Sequence, residues 1–255
     1  MIIAVDVGNT NIVLGFLEKE KMVHECRLST AADDSADEYA IKFKSIFEIF
    51  KIDVDSIEGS VLSSVVPPLN RTISKALMLI TGKMPVVVGP GVKTGLNIKI
   101  NNPAELGADM VVGAVASIAK YPCPQIVFDL GTATTASVID KNGGFLGGAI
   151  LCGVKTALSA LASSTAQLPQ IEIVAPESAV GTNTVDSMRS GIVFGTAAMI
   201  DGLIKRFESE LGQKATVIVT GGLGGVIAQY CENDVIVDRQ LLIDGLRIIY
   251  EKNKK

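Results

Sequence analysis

Apolar residues along the first half of the chain fall into short runs and helical stripes. Three runs rich in Val, Ile and Leu, separated by short polar turns, predict three consecutive strands. Apolar residues then recur at three- and four-residue spacing, which predicts a helix, and Pro67-Pro68 separates a fourth strand from a second helix. The predicted strands are Met1–Val5, Ile12–Glu18, Met22–Ser29, Ser60–Val66 and Met84–Val88, and the predicted helices are Asp37–Phe50 and Leu69–Thr81. The resulting order is β-β-β-α-β-α-β.

The second half of the chain repeats this pattern. Its predicted strands are Gln125–Asp129, Thr134–Ile139, Gly144–Ala149 and Thr216–Thr220, and its predicted helices are Lys155–Leu161, Thr184–Leu211 and Leu241–Asn253. A repeat whose period is half the chain predicts two similar lobes rather than a solenoid. At 255 residues the chain also exceeds the usual size of a single core. We therefore expect two α/β domains, residues 1–120 and residues 121–255.

The first strand of each half runs into the same kind of turn. One copy is Asp6-Val7-Gly8-Asn9-Thr10 and the other is Asp129-Leu130-Gly131-Thr132. The carboxylate suits a hydrated Mg²⁺ or another hard cation, the glycine allows a close backbone approach, and the hydroxyl adds a donor. A plain hairpin turn is the alternative for either copy alone. Two copies with the same approach and exit favour a pair of phosphate-binding turns.

A third glycine-rich turn, Gly221–Gly225, follows the strand Thr216–Thr220. It either lies beside a nucleotide or is a flexible connection between a strand and a helix. The chain has no Gly-x-x-x-x-Gly-Lys-Ser/Thr, which excludes a P-loop, and Gly222-x-Gly224-x-x-Ile227 lacks the third glycine of a dinucleotide-binding turn.

A helix carrying one isolated carboxylate is predicted between the two halves. Asn102-Pro103-Ala104-Glu105 has the form of a helix start, with an N-cap, a proline at the first position and a glutamate three residues after the cap. The helix is expected to run from there to about Lys120. Asp109 lies among its apolar residues, so its carboxylate is either paired for structural reasons or kept for chemistry, and both interpretations stay open.

Composition removes several classes of function. A formal net charge of −4 and an aromatic content of 5% argue against a nucleic-acid-binding protein. No uncharged stretch reaches the roughly 20 apolar residues that a membrane-spanning helix needs. The amino terminus enters a strand directly, without the pattern of a signal peptide. The cysteines, at positions 26, 123, 152 and 231, are far apart, which predicts reduced thiols in a cytoplasmic protein.

A kinase that acts on a hydroxyl needs held phosphates, a metal ion and a group that accepts the hydroxyl proton. The single histidine, His24, lies in a polar strand and is interpreted as a surface residue. The base is therefore expected to be a carboxylate, and the candidates are Asp109, Asp6 and Asp129.

Ten motifs, in order over nearly the whole chain, together resemble the type III pantothenate kinase family. They are Asp6–Asn11, Arg27–Thr30, Asp37–Tyr39, Ser63–Pro67, Asn102-Pro103 with Gly107–Asp109, Asp129 with Gly131–Thr135, Gly147-Gly148, Asn183-Thr184, Ser190-Gly191 and Thr220–Leu223. The resemblance implies the actin-like ATPase and sugar kinase architecture, in which two ribonuclease-H-like domains face each other across a nucleotide cleft.

The resemblance also implies an activity and its requirements. ATP would phosphorylate pantothenate to 4'-phosphopantothenate, the first step of coenzyme A biosynthesis. The enzyme would be a homodimer that uses Mg²⁺ and a monovalent cation, K⁺ or NH₄⁺. A second positive charge beside the phosphates would offset charge that develops during transfer.

Matching the family motifs position by position gives each candidate residue an expected role. Asp109 would be the proton acceptor, Asp129 would ligate the monovalent cation, and Asp6 would bind Mg²⁺, directly or through water. ATP would be held by Asp6, Val7, Gly8, Asn9, Thr10, Asn11, Ile12, Val13, Thr132, Gly221 and Gly222. The acceptor would be held by Gly107, Ala108, Asp109, Met110, Thr184 and Ile100.

Two of these positions depart from the family pattern. Met110 stands where the motif has an arginine, and Ile100 stands where it has a tyrosine. An arginine can bind a carboxylate through two hydrogen bonds, and a thioether cannot replace it. Three hypotheses follow. The chain is a pantothenate kinase with a weakened or re-routed carboxylate contact, a family paralogue that phosphorylates a different hydroxyl compound, or a non-enzymatic regulator of the Bvg accessory factor type.

Overall fold

The computed structural model describes residues 1–254 and has a mixed α/β architecture. Its strands are β1 (Ile2–Val7), β2 (Asn11–Glu18), β3 (Lys21–Ser29), β4 (Gly59–Ser64), β5 (Val86–Val87), β6 (Asn97–Ile98), β7 (Gln125–Leu130), β8 (Ala133–Ile139), β9 (Gly144–Cys152), β10 (Thr216–Thr220) and β11 (Ile236–Val237). Its α-helices are α1 (Ala36–Phe50), α2 (Pro67–Thr81), α3 (Ala108–Lys120), α4 (Val154–Ser164), α5 (Thr184–Leu211), α6 (Gly224–Ile227) and α7 (Leu241–Asn253).

The first sheet has the strand order β3-β2-β1-β4-β5. Its central strand β1 pairs antiparallel with β2 and parallel with β4. The helices α1 and α2 cover the sheet, and Phe16, Tyr39 and Phe43 are fully buried in the core between them. The start of α1 is fixed by a capping box in which Ser35 and Glu38 satisfy each other's backbone N–H groups.

The second sheet repeats this arrangement in the order β11-β10-β7-β8-β9, with the short strand β6 added beyond β9. Its central strand β7 pairs antiparallel with β8 and parallel with β10, as β1 pairs with β2 and β4. The register is repeated too, because Asp6 lies opposite Ser63 and Asp129 lies opposite Thr220. The predicted α/β fold with two related sheets is therefore confirmed.

The chain packs into two compact units that each contain one sheet. The first unit contains residues 1–96, residues 102–116 and the helix α7, and the second contains residues 97–101 and 117–240. A Cβ added to Gly59 would overlap the Tyr250 hydroxyl, and one added to Gly15 would lie 2.6 Å from a methyl group of Ile243. The helix α7 is thus part of the first unit's core. The division into domains at residue 120 stays a prediction, and these packing units differ from it in the positions of residues 97–101, residues 117–120 and α7.

The predicted helix start at Asn102 was wrong. Pro103–Glu105 forms a single 3-10 turn, Leu106 is extended, and α3 begins only at Ala108. The Asn102 side chain donates to the Glu105 carboxylate at 2.7 Å instead of capping a backbone N–H. The local signature therefore starts a turn, and a separate start places Asp109 in the first turn of α3. Among residues 1–254, no helix combines the length and apolar character required to cross a bilayer.

Candidate active site

The first of the two predicted phosphate turns is closed by its own backbone and held by Thr30. The Gly8 N–H donates to the Asn11 carbonyl at 2.9 Å, and a Cβ on Gly8 would lie 3.1 Å from that oxygen. The Thr30 hydroxyl donates to the Gly8 carbonyl at 2.7 Å, and the Thr30 N–H donates to the Thr10 carbonyl at 2.9 Å. The turn that begins at Asp6 is thus fixed at two of its carbonyl groups.

Tyr39 holds the segment that carries Thr30. The Tyr39 hydroxyl donates to the Ala31 carbonyl at 2.9 Å and accepts the Ala31 N–H at 3.0 Å. Since Tyr39 is fully buried on α1, it ties the end of β3 to the core of the first unit. Helix α1 therefore supports the first phosphate turn through Ala31 and Thr30.

The second predicted phosphate turn is packed against the start of α4. The Gly131 N–H donates to the Ala133 carbonyl at 3.1 Å, and the Thr156 hydroxyl donates to the Thr132 carbonyl at 2.8 Å. A Cβ on Gly153 would overlap the Thr132 carbonyl oxygen and would lie 2.6 Å from that of Gly131. Only glycine at position 153 therefore lets α4 approach the turn so closely.

The third glycine-rich turn lies directly beside Asp129. Gly221 has a φ of +88°, which L side chains rarely adopt. A Cβ on it would lie 2.5 Å from Asp129 Oδ1 and 2.7 Å from the backbone of Leu130. The structure thus brings together the predicted cation ligand and one of the predicted ATP-binding glycines. These contacts lie wholly within the second unit.

Asp109 is half-buried at the second position of α3. Its Oδ1 accepts the N–H of Met110 at 2.8 Å, and a Cβ on Gly107 would lie 2.5 Å from the same oxygen. Burial raises the pKa of the Asp109 carboxyl above its ordinary value, and the backbone hydrogen bonds from Met110 and from its own N–H only partly oppose that rise. A carboxylate with a raised pKa is a stronger proton acceptor, as the predicted role requires.

Thr184 is the predicted acceptor-binding residue that lines a cavity. It is the first residue of α5. The preceding residue, Asn183, caps the helix, because its side chain accepts the N–H of Asp186 at 2.9 Å. The cavity has a volume of about 710 Å³. Its lining residues carry no formal charge and are Leu161, Leu168, Gly181, Thr182, Asn183, Thr184, Ser187, Met188, Gly191 and Ile192.

The other predicted acceptor residues lie outside this lining. Gly107, Ala108, Asp109 and Met110 are consecutive in the first unit. Ile100 lies in the second unit, where a Cβ on Gly147 would be 3.8 Å from its side chain.

No group of three or more acidic, histidine or cysteine side chains suitable for a metal ion occurs among residues 1–254. The turns instead offer single carboxylates, Asp6 and Asp129. This fits Mg²⁺, which is usually bound through one or two carboxylates together with substrate phosphates and water. At Asp129, the absence of a Cβ on Gly221 lets the backbone of the third turn lie directly against the carboxylate.

Sequence reasoning missed the residues that support the turns. Thr30 belongs to one of the family motifs but has no predicted role, and no local pattern predicts a role for Gly153 or Thr156. Their partners lie at least 20 positions away in the chain, so no local pattern could reveal the contacts.

Comparisons with known proteins give one consistent result. The family model described as type III pantothenate kinase matches residues 2–206. A type III pantothenate kinase of Exiguobacterium sibiricum is 46% identical over 254 residues, covering 100% of both chains. Among solved structures, a Campylobacter jejuni protein described as a Baf family transcriptional activator has a TM-score of 0.63 at 20% identity, over 98% of both chains. A ROK family glucokinase of Streptomyces griseus has a TM-score of 0.50 at 14% identity, also over 98% of both. These structural likenesses concern the fold alone.

Proposed function

Because the chain belongs to the type III pantothenate kinase family, we propose that it phosphorylates pantothenate with ATP to give 4'-phosphopantothenate, the first step of coenzyme A biosynthesis. The observation that carries the proposal is the match over the full length of the chain to a kinase of this family. The half-buried Asp109 and the two phosphate turns supply the groups that such a transfer needs. The cytoplasm, where ATP is abundant, is the proposed location.

Asp109 acts as the proton acceptor in this proposal. Phosphoryl transfer asks little covalent chemistry of the protein, so catalysis depends on holding the reactants and on charge stabilisation. Asp109 takes the proton of the pantothenate hydroxyl as that oxygen attacks the γ-phosphorus of ATP. Its raised pKa supports the role, because the proton moves to a group that holds it more tightly than an exposed aspartate would.

The three turns hold ATP. The backbone from Asp6 to Val13 and the Thr132 turn bind the phosphates, and Gly221 and Gly222 lie beside the adenosine. Asp6 would hold Mg²⁺ and Asp129 would hold a monovalent cation, K⁺ or NH₄⁺, and the two ions would supply positive charge that offsets the phosphates. The protein's own contribution is to hold each turn in one conformation. The close contacts of Gly8, Gly131 and Gly221 support this role.

A second candidate, an acceptor without a carboxylate, is favoured by one observation. The cavity beside Thr184 has no charged residue in its lining, and Met110 and Ile100 add no charge. A neutral hydroxyl compound such as pantetheine avoids the loss of about 1.5–3 kcal/mol that a missing charge-assisted hydrogen bond would cost pantothenate. Asp109 and the ATP turns serve both acceptors equally.

A homodimer is the proposed assembly. Leu146, Ile150, Leu161 and Val180 of the second unit are exposed by 41–77%, and burial of such apolar side chains between two copies would stabilise a dimer. Light scattering after size exclusion should give twice the chain mass of 26.7 kDa. A mass equal to that of one chain would contradict the dimer.

A coupled kinase assay tests the proposed function. Purified protein with ATP, Mg²⁺ and K⁺ should convert pantothenate, and Asp109→Asn should abolish turnover while ATP binding remains. Pantetheine and Met110→Arg distinguish the two acceptors: higher turnover of pantothenate by Met110→Arg would identify the arginine position as the limiting contact. Binding of ATP without phosphorylation of either acceptor would favour the regulatory hypothesis and remove the kinase proposal.

A further inference from the structure

In each phosphate turn, one carbonyl oxygen accepts a hydrogen bond from the hydroxyl of a threonine that lies outside the turn. In the first unit, the hydroxyl of Thr30, directly after β3, donates to the Gly8 carbonyl at 2.7 Å. In the second unit, Thr156 in the first turn of α4 donates to Thr132 at 2.8 Å. The two donors lie 22 and 24 residues from their acceptors, so the contacts are tertiary and not part of the turns themselves. The repeat therefore includes the support of each turn.

The position of a carbonyl decides where the backbone N–H of the same peptide points. In a trans peptide the N–H lies opposite the C=O, so a carbonyl held on one side directs the amide to the other. Thr156 and the close approach of Gly153 hold the carbonyls of Thr132 and Gly131 toward α4. Thr30 likewise holds the carbonyls of Gly8 and Thr10 toward β3. Amides directed away from these supports are the groups that bind phosphate in turns of this kind.

We propose that Thr30 and Thr156 are positioning residues that hold the two phosphate turns in the conformation that binds ATP. The inference rests on the proposed function only in that these turns bind ATP, and it is independent of the acceptor. Thr156 is exposed, and its hydroxyl donates to this one carbonyl. Loss of its hydroxyl therefore affects the turn far more than it affects the core.

The test compares ATP binding by Thr30→Val and Thr156→Val with that of the wild type. Valine keeps the branched shape and removes the hydroxyl, whereas serine keeps the hydroxyl. Calorimetric titration with a non-hydrolysable ATP analogue and Mg²⁺ should show a three- to tenfold rise in Kd for each valine variant, equivalent to the loss of one hydrogen bond. The serine variants should stay within about twofold of the wild type.

Thr165→Val is the matched control. Thr165 ends α4, is exposed, and donates its hydroxyl to the Leu161 carbonyl within the same helix at 2.8 Å. Loss of the Thr165 hydroxyl should leave the Kd for the ATP analogue unchanged. Where turnover is measurable, the valine variants should raise KM for ATP and leave KM for the acceptor unchanged, which a general loss of structure would not do. A melting temperature equal to that of the wild type would show that Thr156→Val is folded.

The outcomes separate the inference from the proposed function. An equal Kd in Thr156→Val and wild type would overturn the positioning role while the kinase proposal stands. Nucleotide binding with the expected loss in Thr156→Val, but without phosphorylation of pantothenate, would support the inference and contradict the proposed reaction. A wild type that binds no nucleotide would overturn both. If Thr30→Val does not fold, Thr156→Val alone decides.

Discussion

At the scale of single residues, Asp109 is subject to two opposing influences. The start of a helix favours a negative charge, and the Asp109 carboxylate also accepts backbone hydrogen bonds there. Burial disfavours the same charge and is the larger effect, so the pKa is raised. The small size of Gly107 lets the carboxylate occupy this position, because a Cβ there would lie 2.5 Å from its oxygen.

The raised pKa predicts the pH dependence of the reaction. Asp109 must be ionised to accept a proton, so kcat/KM for the acceptor should fall on the acid side with an apparent pKa above that of an ordinary aspartate. A pH profile of kcat/KM measures it directly. An acid limb at or below the ordinary value for aspartate would show that another group is the base.

The same shift predicts an effect on stability. Because the pKa of Asp109 is higher in the folded chain, the folded state binds this proton more tightly than the unfolded state does. The contribution of this group to stability is therefore present below the unfolded pKa and falls as pH rises through the folded pKa. At neutral pH, Asp109→Asn should unfold at the wild-type temperature or higher in calorimetry. A clear drop in Tm would instead indicate a structural role for the charge.

At the scale of elements, the strength of the local sequence pattern decides which strands and helices could be predicted. The apolar runs gave β10 and α7 with their observed bounds, because buried strands and amphipathic helices leave a strong local pattern. The short strand β6 was missed, since two paired residues leave almost none. The start of α3 was misplaced because Leu106 and Gly107 interrupt a good local signal. Contacts such as Gly221 with Asp129 depend on strand order, which only the three-dimensional structure supplies.

Gly221→Ala tests the contact between two of these elements. The new methyl group would meet the Asp129 carboxylate and the Leu130 backbone, and alanine at a φ of +88° is itself strained. We expect about a tenfold loss of affinity for ATP, a reduced response to K⁺, and a loss of about 1–3 kcal/mol of unfolding free energy.

Gly195→Ala is the control for this substitution. Gly195 lies in α5, and a Cβ there would meet no atom within 4 Å. Alanine should be neutral or stabilise the helix by up to about 1 kcal/mol. If Gly221→Ala bound ATP as well as Gly195→Ala does, the third turn would have no part in the site.

At the scale of the whole molecule, the first unit is assembled from distant parts of the chain. Ile243, Leu246 and Ile249 of α7 are buried, and a Cβ on Gly245 would overlap the Val112 carbonyl of α3. The helix packs on β2 and β4 as well, through Ile243 against Gly15 and Tyr250 against Gly59.

Truncation after Gln240 should therefore destabilise the first unit while leaving the second largely intact. The truncation removes four buried aliphatic side chains, which are those of Leu241, Ile243, Leu246 and Ile249, and each costs on the order of 2–5 kcal/mol. Hydrogen exchange followed by mass spectrometry should show fast exchange in residues 1–96 and protection in residues 117–240. Equal protection of both units would show that α7 is dispensable.

The position of α7 also sets an order of events during synthesis. The ribosome completes residues 117–240 before it makes the helix that finishes the first sheet's packing, although that sheet's strands emerge first. The amino-terminal half must therefore wait, partly formed, until α7 leaves the exit tunnel. The half made later can reach its native state sooner than the half made first.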